Sequence, residues 1–287
     1  MGAGYAGYRL AIVGAGVMGT NITALAVGHG VPVVLVDVDE AVLSKAREAV
    51  RLKLRHAQLM GALPGGPHGE LVTSVSLGDV TEATAVIEAV TELSSVKAGV
   101  LAEVSATVRP GTLLVSNTSC IPIDELACSV LRPGDLAGVH FMNPAYLIKP
   151  VEVIRGPRTG DRAMEAVAGL LEFLGRRGLV VRDGTGFVIN RLLHPLINAA
   201  AMVVAEGIAP AEVVDGLLEG CLGHSTGPLR TADLIGLDNL VDSLNVLYER
   251  TGEDSCWPCG LLLEKVRAGD LGRKSGRGFY DYGKVAS

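Results

Sequence analysis

Four polar side chains sit where apolar runs end or break. His140 closes LAGVH, and Glu152 stands inside PVEVI twelve residues later. Ser119 follows TLLVSN in SNTSC, and Asn190 lies in GFVINR. A histidine titrating near neutrality can take the proton of an alcohol while its C–H hydride departs to a nicotinamide. A carboxylate on the other ring nitrogen would fix the tautomer and stabilise the imidazolium that forms. Glu152, between Val151 and Val153, reads as buried and in need of a partner. Two consecutive strands joined by a short loop can bring it to His140. Ser119 and Asn190 can hold a substrate oxygen by hydrogen bonds. Each residue also has a structural reading. His140 can be satisfied at a strand end, and Glu152 can pair with Lys149 or Arg155. Ser119 or Asp124 can cap a helix starting near Pro122, and Asn190 can bond across helices. Spacing alone leaves both readings open.

A second constellation is Gly14-x-Gly16-x-x-Gly19 in RLAIVGAGVMGTNI. The motif follows an apolar strand and opens a helix, the context that gives it meaning. Gly14 permits the tight turn, Gly16 lets backbone approach a pyrophosphate, and Gly19 lets helix pack on strand. Val17 and Met18 lie in the same loop, at a helix N-terminus that favours phosphate charge. The next strand ends at Asp37, eighteen residues beyond Gly19. A carboxylate there accepts ribose hydroxyls and repels a 2′-phosphate, and Asp39 and Glu40 add to the repulsion, so NAD is favoured over NADP. Asn117, after the strand 112–116, joins the expected cofactor contacts. The alternative is a Gly-rich packing turn that binds no dinucleotide.

The elements needed to position these residues are legible as a pattern. Strand-like runs cover 9–13, 33–37, 85–89, 112–116, 136–141, 150–154 and 179–182, and helical patterns cover 17–30, 39–60, 95–108 and 161–174. Such alternation predicts a mostly parallel, doubly wound sheet. GALPGGPHG (61–69) reads as a loop. Strand runs stop at RDGTG, and helices are expected at 187–206, 210–221, 228–235, 237–250 and 260–268, with Pro195 a candidate kink. The expected division is therefore an α/β domain over 1–184 and a helical domain over 185–287.

Composition narrows the function classes. With 287 residues, 48% apolar, 20% charged and a net charge of −6, the chain is large enough for two cores and has no basic footprint for nucleic acid. The stretch 10–36 has no Asp, Glu, Lys or Arg before Asp37, but its glycines suit strand–turn–helix–strand better than a membrane span. MGAGYA has Ala6 where a myristoylation signal has Ser or Thr, and no secretory leader pattern follows, so a cytoplasmic protein is expected. Five cysteines show no framework spacing. Cys256-Trp-Pro-Cys259 follows a polar loop with no second ligand pair nearby, so no metal site is expected.

Taken together, GAGVMG, IEAVTE, SNTS, HFMNP, VEVI, GFVINR, GPLRTADLIGLD and GRKSGRGFYDY occur in an order that resembles the short 3-hydroxyacyl-CoA dehydrogenases of the 3-hydroxybutyryl-CoA dehydrogenase type. The resemblance covers nearly the whole chain, and HFxNP followed by VEVI is its most specific part. It implies a Rossmann-like doubly wound sheet followed by an all-helical C-terminal domain that forms a homodimer. It implies His140 as base oriented by Glu152, Ser119 and Asn190 on the substrate oxygen, and Glu92 near the nicotinamide. Lys274 falls in a structural C-terminal motif. The reaction implied is NAD-linked interconversion of 3-hydroxyacyl and 3-oxoacyl thioesters. Departures from the family pattern surround the substrate: Cys120, Met142, Tyr146, Pro150, Thr185, the segment 223–228, and an interrupted helix after Asp37. They leave the acyl carrier open between CoA and an acyl carrier protein. The latter is similar to a branch that oxidises glyceryl groups for polyketide extender units. A catalytically inactive NAD-binding relative is the remaining alternative.

Overall fold

The structure is a computed structural model, and it describes residues 7–283. The MGAGYA stretch lies outside the described residues. The chain divides into two compact units, Met1–Gly184 and Thr185–Ser287.

The first unit holds β1 (Leu10–Val13), α1 (Val17–Gly28), β2 (Val33–Val36), α2 (Glu40–Leu59), β3 (Leu71–Ser74), β4 (Ala85–Glu88), α3 (Ser94–Thr107), β5 (Leu113–Ser116), α4 (Ile123–Ala127), β6 (Leu136–His140), β7 (Pro150–Arg155), α5 (Asp161–Phe173) and β8 (Arg177–Arg182). They build one eight-stranded sheet in the order β3-β2-β1-β4-β5-β6-β7-β8. β1, β4, β5 and β6 are buried along their whole length. That is why each reads as a continuous apolar run rather than an alternating one. The chain winds outward from β1 in one direction to β3 and returns on the other side through β4, so β1 and β4 flank the switch in strand order. Ligands of open α/β sheets bind at the carboxyl ends of strands at such a switch. The pairs from β3 to β6 are parallel; β6 and β7 are antiparallel. Their link, 141–149, is too short for a crossover helix, which forces the antiparallel return. The core beneath the sheet gathers Ile22, Leu25, Leu35, Leu43, Val167 and Leu171, among others.

The charge-free stretch 10–36 resolves into β1, α1 and β2. Among the described residues no helix is long and apolar enough to cross a membrane. The strand β3 has no counterpart in the sequence reading. It is a short edge strand with one neighbour and only partial burial, so it lacks an apolar run.

The second unit is helical: α6 (Ile189–Ala205), α7 (Ala211–Leu222), α8 (Pro228–Ile235), α9 (Leu237–Thr251) and α10 (Gly260–Arg267). They enclose Ile197, Ala201, Leu229, Leu237, Leu244 and Leu262. α6 starts two residues later than the apolar pattern suggests, because Phe187 turns with φ 49°; Pro195 is accommodated inside it. Two buried aspartates fasten the C-terminal FYDY. Asp233 accepts the amides of Phe279 and Tyr280 at 2.9 and 3.0 Å, and Asp215 accepts the Tyr280 hydroxyl at 2.7 Å. Burial, and then the bond to Asp215, push the Tyr280 phenol well above its ordinary range.

Candidate active site

The glycine loop lies at the switch point and has the shape a dinucleotide needs. Gly14 has φ +103°, and a Cβ there would lie 2.6 Å from the Ala89 carbonyl oxygen. At Gly19 a Cβ would lie 1.8 Å from the Gly14 oxygen, so no larger residue lets α1 start this close to β1. A Cβ on Gly16 meets nothing within 4 Å, so this is the open side of the loop. Val17 beside it is 66% exposed, and Met18 is half-buried. No side chain caps α1 and no acid occupies its first turn, so the helix terminus keeps its positive character for phosphate. Asp37 leaves β2 half-buried, and its Oδ2 accepts the Ala15 amide at 2.8 Å. The residues present therefore fit NAD: a donor-rich loop for the pyrophosphate and a carboxylate for the ribose, held to each other.

Farther along the same sheet edge, His140 and Glu152 are cross-strand partners in the β6–β7 pair. His140 Nδ1 lies 2.8 Å from Glu152 Oε2, with both residues 6% exposed. The antiparallel register places them face to face, which the twelve-residue spacing alone does not require. Arg155 instead pairs with Asp161 at 2.5 Å. Asn117, at the end of β5, accepts the Phe141 amide on its Oδ1 at 3.0 Å, strapping the residue after His140 to the neighbouring strand.

The SNTSC turn is gathered by Glu92. Its Oε1 accepts from the Thr118 hydroxyl at 2.5 Å, the Ser119 amide at 2.7 Å and the Cys120 amide at 3.0 Å. Neither Ser119 nor Asp124 caps α4. The cap is Asp183, which accepts the Ile123 and Asp124 amides at 2.9 and 2.8 Å. Asn190 belongs to the helical unit, in the first turn of α6, and is 8% exposed.

The family of 3-hydroxyacyl-CoA dehydrogenases matches in both its parts, the NAD binding domain over residues 9–184 and the C-terminal domain over 186–282. The chain belongs to the 3-hydroxyacyl-CoA dehydrogenase family. It is 36% identical over 287 residues to the 3-hydroxybutyryl-CoA dehydrogenase of Bradyrhizobium diazoefficiens, covering 96% of this chain and 95% of that one. Among solved structures it is similar to FadB2 of M. tuberculosis, with TM-score 0.91 and 36% identity over 96% of this chain and 99% of that one. It is also similar to the (S)-3-hydroxybutyryl-CoA dehydrogenase PaaH1 of Ralstonia eutropha, with TM-score 0.87 and 36% identity over the same shares. The protein is an NAD-dependent dehydrogenase.

Several residues of this dehydrogenase escape sequence reasoning. Glu88, in AVIEAV, carries the same signal as Glu152, an acid inside an apolar run, yet its partner Lys97 lies in a helix with no such signal. Lys97 Nζ donates to Glu88 Oε1 at 2.8 Å, with both residues fully buried. Asp183 carries no signal beyond its place in a loop. Cys256 and Cys259 are free thiols, and burial pushes the Cys259 thiol up, away from a reactive thiolate. Buried Asn198 holds their loop, accepting the Cys259 amide at 2.9 Å and donating to Trp257 O at 2.8 Å. Among the described residues no group of His, Cys, Asp or Glu is arranged to hold a metal.

Proposed function

We propose that this dehydrogenase oxidises the 3-hydroxyl of a 3-hydroxyacyl thioester, with 3-hydroxybutyryl-CoA as the leading substrate. The observation that carries the reading is the buried 2.8 Å contact between His140 Nδ1 and Glu152 Oε2. With Nδ1 facing the carboxylate, Nε2 is the ring atom that takes the hydroxyl proton, and Glu152 stabilises the imidazolium. Ser119 and Asn190 hold the substrate oxygen. NAD, when bound, supplies the hydride acceptor. Two relatives named for 3-hydroxybutyryl-CoA, each 36% identical over nearly the whole chain, support the CoA thioester. A complete dyad speaks against an inactive relative.

A glyceryl group on an acyl carrier protein is the second reading. It draws on the unusual loop between the dyad partners, where the hydroxyl of Tyr146 lies 3.1 Å from Nδ1 of the exposed His56 on α2. We also infer a homodimer through the helical unit. Free cysteines suit a reducing compartment such as the cytoplasm.

The test is NADH formation with 3-hydroxybutyryl-CoA, free glycerate and glyceryl-loaded carrier protein. Turnover of the CoA thioester is expected, and activity confined to the loaded carrier would select the second reading. His140→Gln should lower kcat by about 10²–10⁴ while NAD binding persists. Near-normal turnover would remove His140 from the role of base.

A further inference from the structure

Helix α2 concentrates positive charge in a chain that is otherwise acidic. It carries five Lys and Arg residues against two Glu, a net +3 where the whole chain has −6, so the rest carries −9. Two of the five are engaged: Arg51 pairs with Glu48 at 2.6 Å, and Arg47 reaches Thr73 and Glu40. Lys45, Lys53 and Arg55 have no salt-bridge partner among the described residues. Burial pushes the half-buried Lys53 ammonium below its ordinary range, with no carboxylate bonded to it to oppose the shift. The helix buries Leu43, Ala46 and Val50 on one face. A helix with one apolar face in the core ordinarily keeps the other polar. α2 instead leaves Leu52 50% and Leu59 81% exposed. Lys45, Leu52 and Leu59 recur every seven residues and so form one row, and Arg55 and His56 lie beside Leu52 at helical spacings of three and four.

This row is tied to the loop that joins the dyad. His56 Nδ1 lies 3.1 Å from the Tyr146 hydroxyl, and the two rings meet edge to face with centroids 5.8 Å apart. Tyr146 follows His140 by six residues. At about 3.6 Å per residue at most, its backbone lies within about 22 Å of that of the base, a distance a flexible thioester arm can span. The composition of the row selects its occupant. From Lys45 to Leu59 it runs about 21 Å along the helix, longer than one phosphate needs, and its cations alternate with exposed leucines, the mixture of a protein interface with a charged rim. A helix lying in a membrane surface would keep its apolar face for lipid, whereas α2 has spent that face on the core. We infer that the exposed face of α2 is a docking surface for an acidic protein that carries the acyl group on a thioester arm, as an acyl carrier protein does. The cations meet the partner's carboxylates, Leu52 and Leu59 meet its apolar side chains, and the arm enters beside Tyr146. This rests on the thioester reading and deepens its second form.

The test is the double variant Lys45→Glu with Arg55→Glu in the full chain. Binding of fluorescently labelled holo acyl carrier protein is followed by anisotropy, without turnover. Wild type should bind it, more weakly as salt rises, and the variant should raise Kd about tenfold or more. In kinetics, 3-hydroxybutyryl is offered on the carrier and on N-acetylcysteamine, which keeps only the tip of the arm. The ratio of kcat/KM on the carrier to that on the small thioester should fall about tenfold or more in the variant. Should the double variant not fold, Leu59→Asp changes a single exposed side chain and should lower the same ratio by about threefold or more. Wild type failing to bind the carrier overturns the inference, as does a variant that binds it equally well. Substitutions that weaken only the binding of free CoA, or only that of vesicles containing anionic lipid, overturn it too, since the face would then serve a nucleotide or a membrane. Failure of the thioester reading is separate: wild type would turn over no thioester, whatever the anisotropy shows.

Discussion

Asp37 shows how one residue serves both structure and ligand. Its Oδ2 accepts the Ala15 amide, and its Oδ1 the Asp39 amide at 3.2 Å. The carboxylate that would meet the ribose is therefore also the strap that holds the glycine loop against β2. Asp37→Ala removes both. Hydrogen bonds to charged groups are worth about 1.5–3 kcal/mol, so the KM for NAD should rise about 10–10²-fold with a smaller change in kcat. Asp37→Asn keeps an acceptor for Ala15 and should fall between. Steady-state kinetics with both dinucleotides decides the point: wild type should strongly prefer NAD, and equal use of NADP would refute the charge argument. At this scale the sequence is informative where a polar residue interrupts an apolar run, as at His140 and Glu152. It is silent where the partner sits on a helix flank, as Lys97 does.

Elements differ in how clearly their residues announce them. β1, β4, β5 and β6 are buried on both faces, so burial writes an unbroken apolar run. β3, at the edge, has no such constraint. The face-to-face dyad depends on the antiparallel turn-back of β7, which follows from a connection too short for a helix. The cap of α4 is invisible to local sequence, because Asp183 lies about sixty residues away from the amides it accepts. The cap makes a separate prediction. Asp183→Ala leaves two amides of a short helix without their acceptor and should cost about 0.5–2 kcal/mol. For a unit of this size that lowers Tm by about 2–4 °C per kcal/mol. Asp183→Asn should recover most of the loss, since either residue caps well. A melting curve unchanged by the alanine variant would mean that α4 is held by packing alone.

At the scale of the whole molecule, the two units have separate cores and different surfaces. The helical unit exposes apolar side chains at helical spacing. On α6, Ile189, Leu192, Leu196 and Met202 are 40, 68, 38 and 45% exposed, while Asn190, His194, Ile197 and Ala201 are buried on the opposite face. On α7, Val213 and Leu217 are 45 and 54% exposed, one turn apart. A helix apolar on both faces has a second surface to cover. The homodimer proposed above would cover it with a second copy. In a two-fold dimer each such side chain counts twice, and burying one leucine contributes about 2 kcal/mol. Leu217→Glu would place two carboxylates in that interface, while on the free monomer it alters only an exposed position. Light scattering of wild type at micromolar concentration should give twice the 29.7 kDa chain mass. The variant should shift toward a single chain while the far-UV spectrum stays helical. Wild type running as a monomer would refute the dimer. A variant that remains dimeric would move the interface off α7, leaving the α6 stripe to be tested by Met202→Glu in the same way.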